Sequence, residues 1–181
     1  MVNDAKPLSG IVVLGVSGVG KTTVGRLLAE ALNWNFVEAD DFHSDVSRQK
    51  MASGIGLTDV DREPWLEAVN IVLNQQAGGW VLACSALKQR YREMLVAQRT
   101  DVAWVWLHGN TDLLRLRLRL RENHYAGESL LNTQLADLQP PDDCLQLDVV
   151  EPPQALARKI LSQLSPGLSV RQPVLVSDKN H

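Results

Sequence analysis

The stretch Gly15-Val16-Ser17-Gly18-Val19-Gly20-Lys21-Thr22 fits the pattern G-x-x-x-x-G-K-[ST] at every fixed position. Each position has a chemical reason. The glycines let backbone N–H groups turn inward around phosphate oxygens, the Lys21 ammonium neutralises β- and γ-phosphate charge, and the Thr22 hydroxyl can ligate Mg²⁺. A helix opening at Lys21, with Thr23 in its first turn, aims its positive end at the same phosphates. Chance produces the pattern in a chain of this length on the order of once in a hundred. A nucleoside triphosphate is therefore the expected ligand.

Outward from the loop, five short apolar runs stand out: Ile11 to Leu14, Trp34 to Val37, Trp80 to Cys84, Ala103 to Leu107 and Leu145 to Val150. The first, third and fourth are nearly continuous, which predicts parallel strands covered on both faces. Helical patterns lie between them. Val24, Leu27, Leu28, Ala31 and Leu32 share one face, as do Trp65, Leu66, Val69, Val72 and Leu73. Thr58 and Asp61 signal the start of that second helix, with Pro64 suited to its first turn. This alternation predicts a three-layer α/β fold, a mainly parallel five-stranded sheet with helices on both faces.

The segment Leu113 to Arg121 alternates Leu with Arg and by period alone reads as a strand. We read it as a helix, because a strand already precedes it and Asn110 or Thr111 can cap it. Arg117 and Arg121 then share one face, and a merely solvated helix is the plain alternative. From Asn123 to Pro141 the chain turns polar, which predicts a flap followed by a turn. Periodicity ends after Ser165. A single domain over 1–181 is expected, with its core at about 10–165, a lid at about 121–141 and a tail at 166–181.

The chain has 181 residues, 45% hydrophobic and 22% charged, with a net charge of -3. That is too apolar for disorder, and the near balance of charge offers no broad basic face for nucleic acid. No apolar run approaches the ~20 residues of a membrane helix, and residues 1–9 lack a signal-peptide core. Cys84 and Cys144 suit buried thiols and a reducing cytoplasm better than a disulfide framework. Small-molecule partners are expected.

A GTPase would carry N-K-x-D after a later strand, and a motor ATPase a strand ending in Asp-Glu; the chain has neither. A compact kinase related to the nucleoside monophosphate kinases, with a lid that excludes water, fits better. The second strand runs into Glu38-Ala39-Asp40-Asp41-Phe42-His43, at the carboxyl end where ligands bind in such sheets. Glu38 and Asp40, two apart on an extended segment, can face the crevice together. Glu38 would reach metal-bound water and Asp40 an acceptor hydroxyl. A solvated acidic turn is the plain reading. The third strand runs into Lys88 and Arg92, whose i, i+4 spacing offers an anionic acceptor two cations, or is ordinary surface charge. His43 and His124 lack a third ligand at metal spacing, so hydrogen bonding is their expected role.

These segments together resemble the gluconokinase family over about residues 10 to 165. The resemblance is carried by the loop at 15–22, Ala39-Asp40-Asp41-Phe42-His43, Lys50-Met51-Ala52-Ser53-Gly54, Leu57 to Leu66, and Cys84-Ser85-Ala86-Leu87-Lys88 with Tyr91-Arg92. It implies ATP-dependent phosphorylation of D-gluconate to 6-phosphogluconate, with Mg²⁺, a cytoplasmic setting and a homodimer. It implies further that Asp40 activates the acceptor hydroxyl, that His43, Arg62, Lys88, Arg92 and His124 line the gluconate site, and that Arg117 and Arg121 meet ATP phosphates. Ser44, Ser47 and Gly56 stand where the family has Pro, Asn and Pro, and Asn132-Thr133-Gln134-Leu135 replaces a Ser-Gln-Phe run. The alternatives are a kinase of this fold for another polyol acid, such as shikimate, and a nucleotide-binding protein without catalysis.

Overall fold

Five strands pair in parallel in the order β2-β3-β1-β4-β5: β1 Gly10–Leu14, β2 Asn35–Glu38, β3 Trp80–Ala83, β4 Val102–His108 and β5 Leu145–Asp148. The computed structural model describes residues 7–97, 99–120, 124–165 and 168, with the backbone alone at 124–128. Among the described residues, α1 Lys21–Leu32, α2 Asp45–Ala52, α3 Asp59–Asn74, α4 Gln89–Val96, α5 Thr111–Arg119 and α6 His124–Asp137 connect the strands, and α7 Pro153–Leu164 follows the last of them. A short 3-10 turn, Ala39–Phe42, follows β2.

The central strand explains the layers. Successive side chains of β1 point to opposite faces, so Ile11 and Val13 join α1, α5 and α7 in one core. Val12 and Leu14 join α3 and α4 in the other. All five residues of β1 are buried, as a continuous apolar run requires. β4 departs from that expectation. Ala103, Val105 and Leu107 are buried, but Trp104 and Trp106 are half-buried on the face that carries α3 and α4, a layer that leaves this strand partly open.

The ambiguous leucine–arginine segment is helical. The Asn110 side chain accepts from the Asp112 N–H at 2.8 Å, and Leu114 and Leu118 are buried. α3 begins at Asp59, directly after the Thr58 start signal, so Pro64 is its sixth residue and falls in the second turn rather than the first. A reciprocal capping box causes this: Thr58 accepts from the Asp61 N–H at 3.2 Å, and Asp61 accepts from the Thr58 N–H at 2.9 Å. Pro64 therefore lies inside the helix and removes one bond, to the carbonyl of Val60. That residue is exposed, so water can take the bond's place. Thr58→Ala is expected to cost about 1 kcal/mol of unfolding free energy in urea denaturation, with no change in the slope.

Cys84 is buried and Cys144 half-buried, and neither is bridged. Burial pushes the Cys84 thiol up to about 12, so it stays protonated and inert. Among the described residues no helix is long and apolar enough to cross a membrane.

Candidate active site

The turn between β1 and α1 lies at the carboxyl end of the middle strand. Gly15, Gly18 and Gly20 adopt φ of 143°, 85° and 95°, a region that L side chains avoid. At Gly20 no atom lies within 4 Å of where a Cβ would stand, which leaves the cradle open. Val16 and Val19 are buried at 3% and 1% exposure and tie the loop to the core. The Lys21 ammonium donates to the Val16 carbonyl at 3.1 Å, folded over the loop it serves. Thr22 and Thr23 are exposed at the start of α1.

The Thr22 hydroxyl donates to Glu38 Oε2 at 2.7 Å. Burial pushes the Glu38 carboxyl up, and the Thr22 bond opposes this. A hydroxyl and a carboxylate side by side at the phosphate cradle suit a hard divalent cation, so the residues present fit Mg²⁺.

Beside the loop is a small cavity walled by Ser17, Asp40, His43, Arg62, Trp65 and Tyr91. Asp40 is not on an extended segment as the sequence implied. It sits in the 3-10 turn, where it is one of the residues that line the cavity. The Asp40 side chain is 64% exposed, and its carboxylate lies 3.7 Å from His43 Nε2. The His43 ring stacks on Trp65 at 4.2 Å, and Trp65 donates to the Ala39 carbonyl at 2.7 Å. Burial pushes the His43 pKa down, so the ring is neutral. Its Nδ1 is buried with no hydrogen-bond partner among the described residues. A buried polar atom in this state is costly unless a ligand meets it.

The cations divide into three roles. Arg62 is 7% exposed and lines the cavity, and its Nη1 donates to the Tyr91 hydroxyl at 3.0 Å and to Asp137 at 3.2 Å. Lys88 lies just outside, bonded to Asp59 at 2.9 Å. Hydrogen bonds from Tyr91 and then Lys88 hold the Asp59 carboxyl at about 2. Arg92 does not face the cavity. It donates to the carbonyls of Ala86, Leu87 and Gln139 at 3.0, 3.2 and 3.0 Å, joining the turn after β3 to the chain after α6. Arg117 likewise braces a turn, donating to the Val149 carbonyl at 2.7 Å. Arg121 and the side chain of His124 lie outside the described residues.

The segment read as a flap is largely a helix, α6, and it reaches the site. Gln134 accepts from the Ser17 N–H at 2.6 Å, and Ser129 donates to the Gly54 carbonyl at 3.0 Å. Gln134, Asp137 and Tyr91 are site residues that sequence reasoning did not single out. Tyr91 and Gln134 stood within segments quoted for the family resemblance but without a role of their own, and Asp137 sits in a polar stretch with no motif around it.

The shikimate kinase family model matches residues 17–140, from the phosphate loop through α6. Gluconokinase from Arabidopsis thaliana is 38% identical over 178 residues, covering 88% of this chain and 94% of its own. Gluconokinase from Gluconobacter oxydans is 46% identical over 136 residues, covering 74% and 76%. The chain belongs to the gluconokinase family. A solved gluconokinase structure from Sinorhizobium meliloti superposes with a TM-score of 0.80 at 39% identity, covering 89% of this chain and 94% of that one.

Four of the residues that depart from the gluconokinase pattern lie in two neighbouring pairs. Ser44 caps α2 by accepting from the Ser47 N–H at 3.2 Å, and the two hydroxyls are 3.1 Å apart. A Cβ on Gly56 would stand 2.7 Å from the Thr133 methyl group.

Proposed function

We propose that the chain transfers the γ-phosphoryl group of ATP to D-gluconate, forming 6-phospho-D-gluconate and ADP. Membership of the gluconokinase family supports the substrate. The observation that carries the site assignment is the cavity that shares Ser17 with the phosphate loop and has Asp40, His43 and Arg62 among its walls. An acceptor held there lies against the γ-phosphate end of the cradle, the proximity that phosphoryl transfer needs.

In this reading Gly15, Val16, Ser17, Gly18, Val19, Gly20, Lys21, Thr22 and Thr23 hold the triphosphate by backbone N–H groups and the Lys21 charge. Asp40 accepts the proton of the primary hydroxyl as its oxygen bonds to phosphorus and the bond to ADP breaks. His43 Nδ1 meets an acceptor hydroxyl, and Arg62, with Lys88 behind it, supplies positive charge for the acceptor's carboxylate. Thr22 and, through water, Glu38 would hold Mg²⁺, which supplies charge neutralisation. The chain at about 121–141 acts as the lid of a single-domain enzyme, and α5, which carries Arg117, leads into it. Arg92 then acts by bracing the lid's far end rather than by touching gluconate. Family membership also supports a homodimer in the cytoplasm.

The test is ATP consumption with gluconate, shikimate and other sugar acids. Gluconate should exceed shikimate in kcat/KM by about 100-fold or more, because a site built for hydroxyls and one carboxylate rejects acceptors that leave its polar groups unpaired. Turnover with shikimate but not gluconate would refute the reading, and tight ATP binding without consumption would favour a non-catalytic protein.

A further inference from the structure

Two carboxylates meet the cations of the acceptor cavity, and they come from different parts of the fold. Asp59 opens α3. It accepts from the Tyr91 hydroxyl and from Lys88 at 2.9 Å, and lies 3.9 Å from Arg62. Asp137 ends α6, with its oxygens 3.2 Å from Arg62 Nη1 and 3.4 Å from Lys88 Nζ.

Neither cation depends on Asp137 for its place. Arg62 donates to the Tyr91 hydroxyl at 3.0 Å, and its guanidinium lies 5.3 Å from the centre of that ring. Lys88 is bonded to Asp59 and lies 5.6 Å from the same ring. α3 and α4 therefore orient both groups, and Asp137 contributes charge rather than position. A negatively charged acceptor entering beside Arg62 meets a cation already neutralised by a like charge.

We propose that Asp137 is a resident counter-ion of the acceptor site, displaced by the carboxylate of an acceptor that fills the cavity. The proposal rests on the gluconate reading above. The chain just beyond is pinned: the Gln139 N–H donates to the Leu87 carbonyl at 2.9 Å, and Gln139 Oε1 accepts from the Gln89 N–H at 2.8 Å. Displacement is then a rotation of the Asp137 side chain, which is 25% exposed and has water to receive it. The exchange lowers affinity for gluconate. It also keeps small inorganic anions off Arg62 and Lys88, since these lack the hydroxyls that engage Asp40 and His43.

The test is Asp137→Asn, which keeps shape and removes charge. The KM for gluconate should fall about fivefold, and sulfate should inhibit competitively with gluconate at a concentration lower by a similar factor. The KM for ATP and the Tm should stay in place, and Asp137→Glu should restore the parent values. A gluconate KM that is unchanged or raised in Asp137→Asn overturns the exchange and makes Asp137 a positioning or structural residue. A parent chain with no gluconate turnover overturns the functional reading as well, and shows this before any variant is made.

Discussion

Lys21→Ala is expected to lower kcat by on the order of 10³-fold while leaving the Tm nearly unchanged. The loss is large because Lys21 is the cation that the motif places at the transferring phosphoryl group, where negative charge redistributes in the transition state. A positioned charge in a water-poor cleft stabilises that state far more than it would in bulk solvent. The fold should tolerate the change. The Lys21 side chain is half-exposed and donates to the Val16 carbonyl, while the loop is anchored by the buried Val16 and Val19. Steady-state kinetics with a thermal melt decide the matter: a kcat loss below about tenfold would remove Lys21 from the chemistry, and a collapsed melt would make its role structural.

The second large effect is at Asp40. Asp40→Asn keeps the volume and one carbonyl oxygen at the cavity mouth but cannot accept a proton, so kcat should fall by on the order of 10²–10⁴-fold. The KM for ATP should hold, because Asp40 lies on the acceptor side of Ser17 and makes no bond to the phosphate loop. Isothermal titration should show gluconate still binding, since His43 and Arg62 remain. A variant that retains most of its kcat would assign Asp40 to binding alone and pass the proton to solvent.

The strands were legible because burial on both faces writes an unbroken apolar run: Ile11 to Leu14 and Trp80 to Cys84 each fall within one residue of β1 and β3. The phosphate loop was legible because its geometry admits few residues. α6 was not. Its buried positions include Leu131 and the polar Gln134, and its partners are Gly54 and Ser17, distant in sequence, so no local period records it. The spacing of Lys88 and Arg92 was visible, yet their partners were not. One faces carboxylates and the other backbone carbonyls, a division set by the turn before α4 and the chain after α6. Thr58 and Asp61 marked the start of α3 correctly, and only the first-turn place of Pro64 gave way, because the capping box those two residues form sets the first turn ahead of it.

The contacts between Ser44 and Ser47, and between Gly56 and Thr133, bear on how this chain will answer substitution. At each contact two residues that differ from the family pattern meet, so substitutions at the two positions are expected to couple rather than add. Reverting Gly56 alone would drive a side chain into the Thr133 methyl group, and reverting Ser44 alone would strip α2 of its cap. Chimeras with a relative are expected to keep most of their stability where the cut keeps 44 with 47 and 56 with 133.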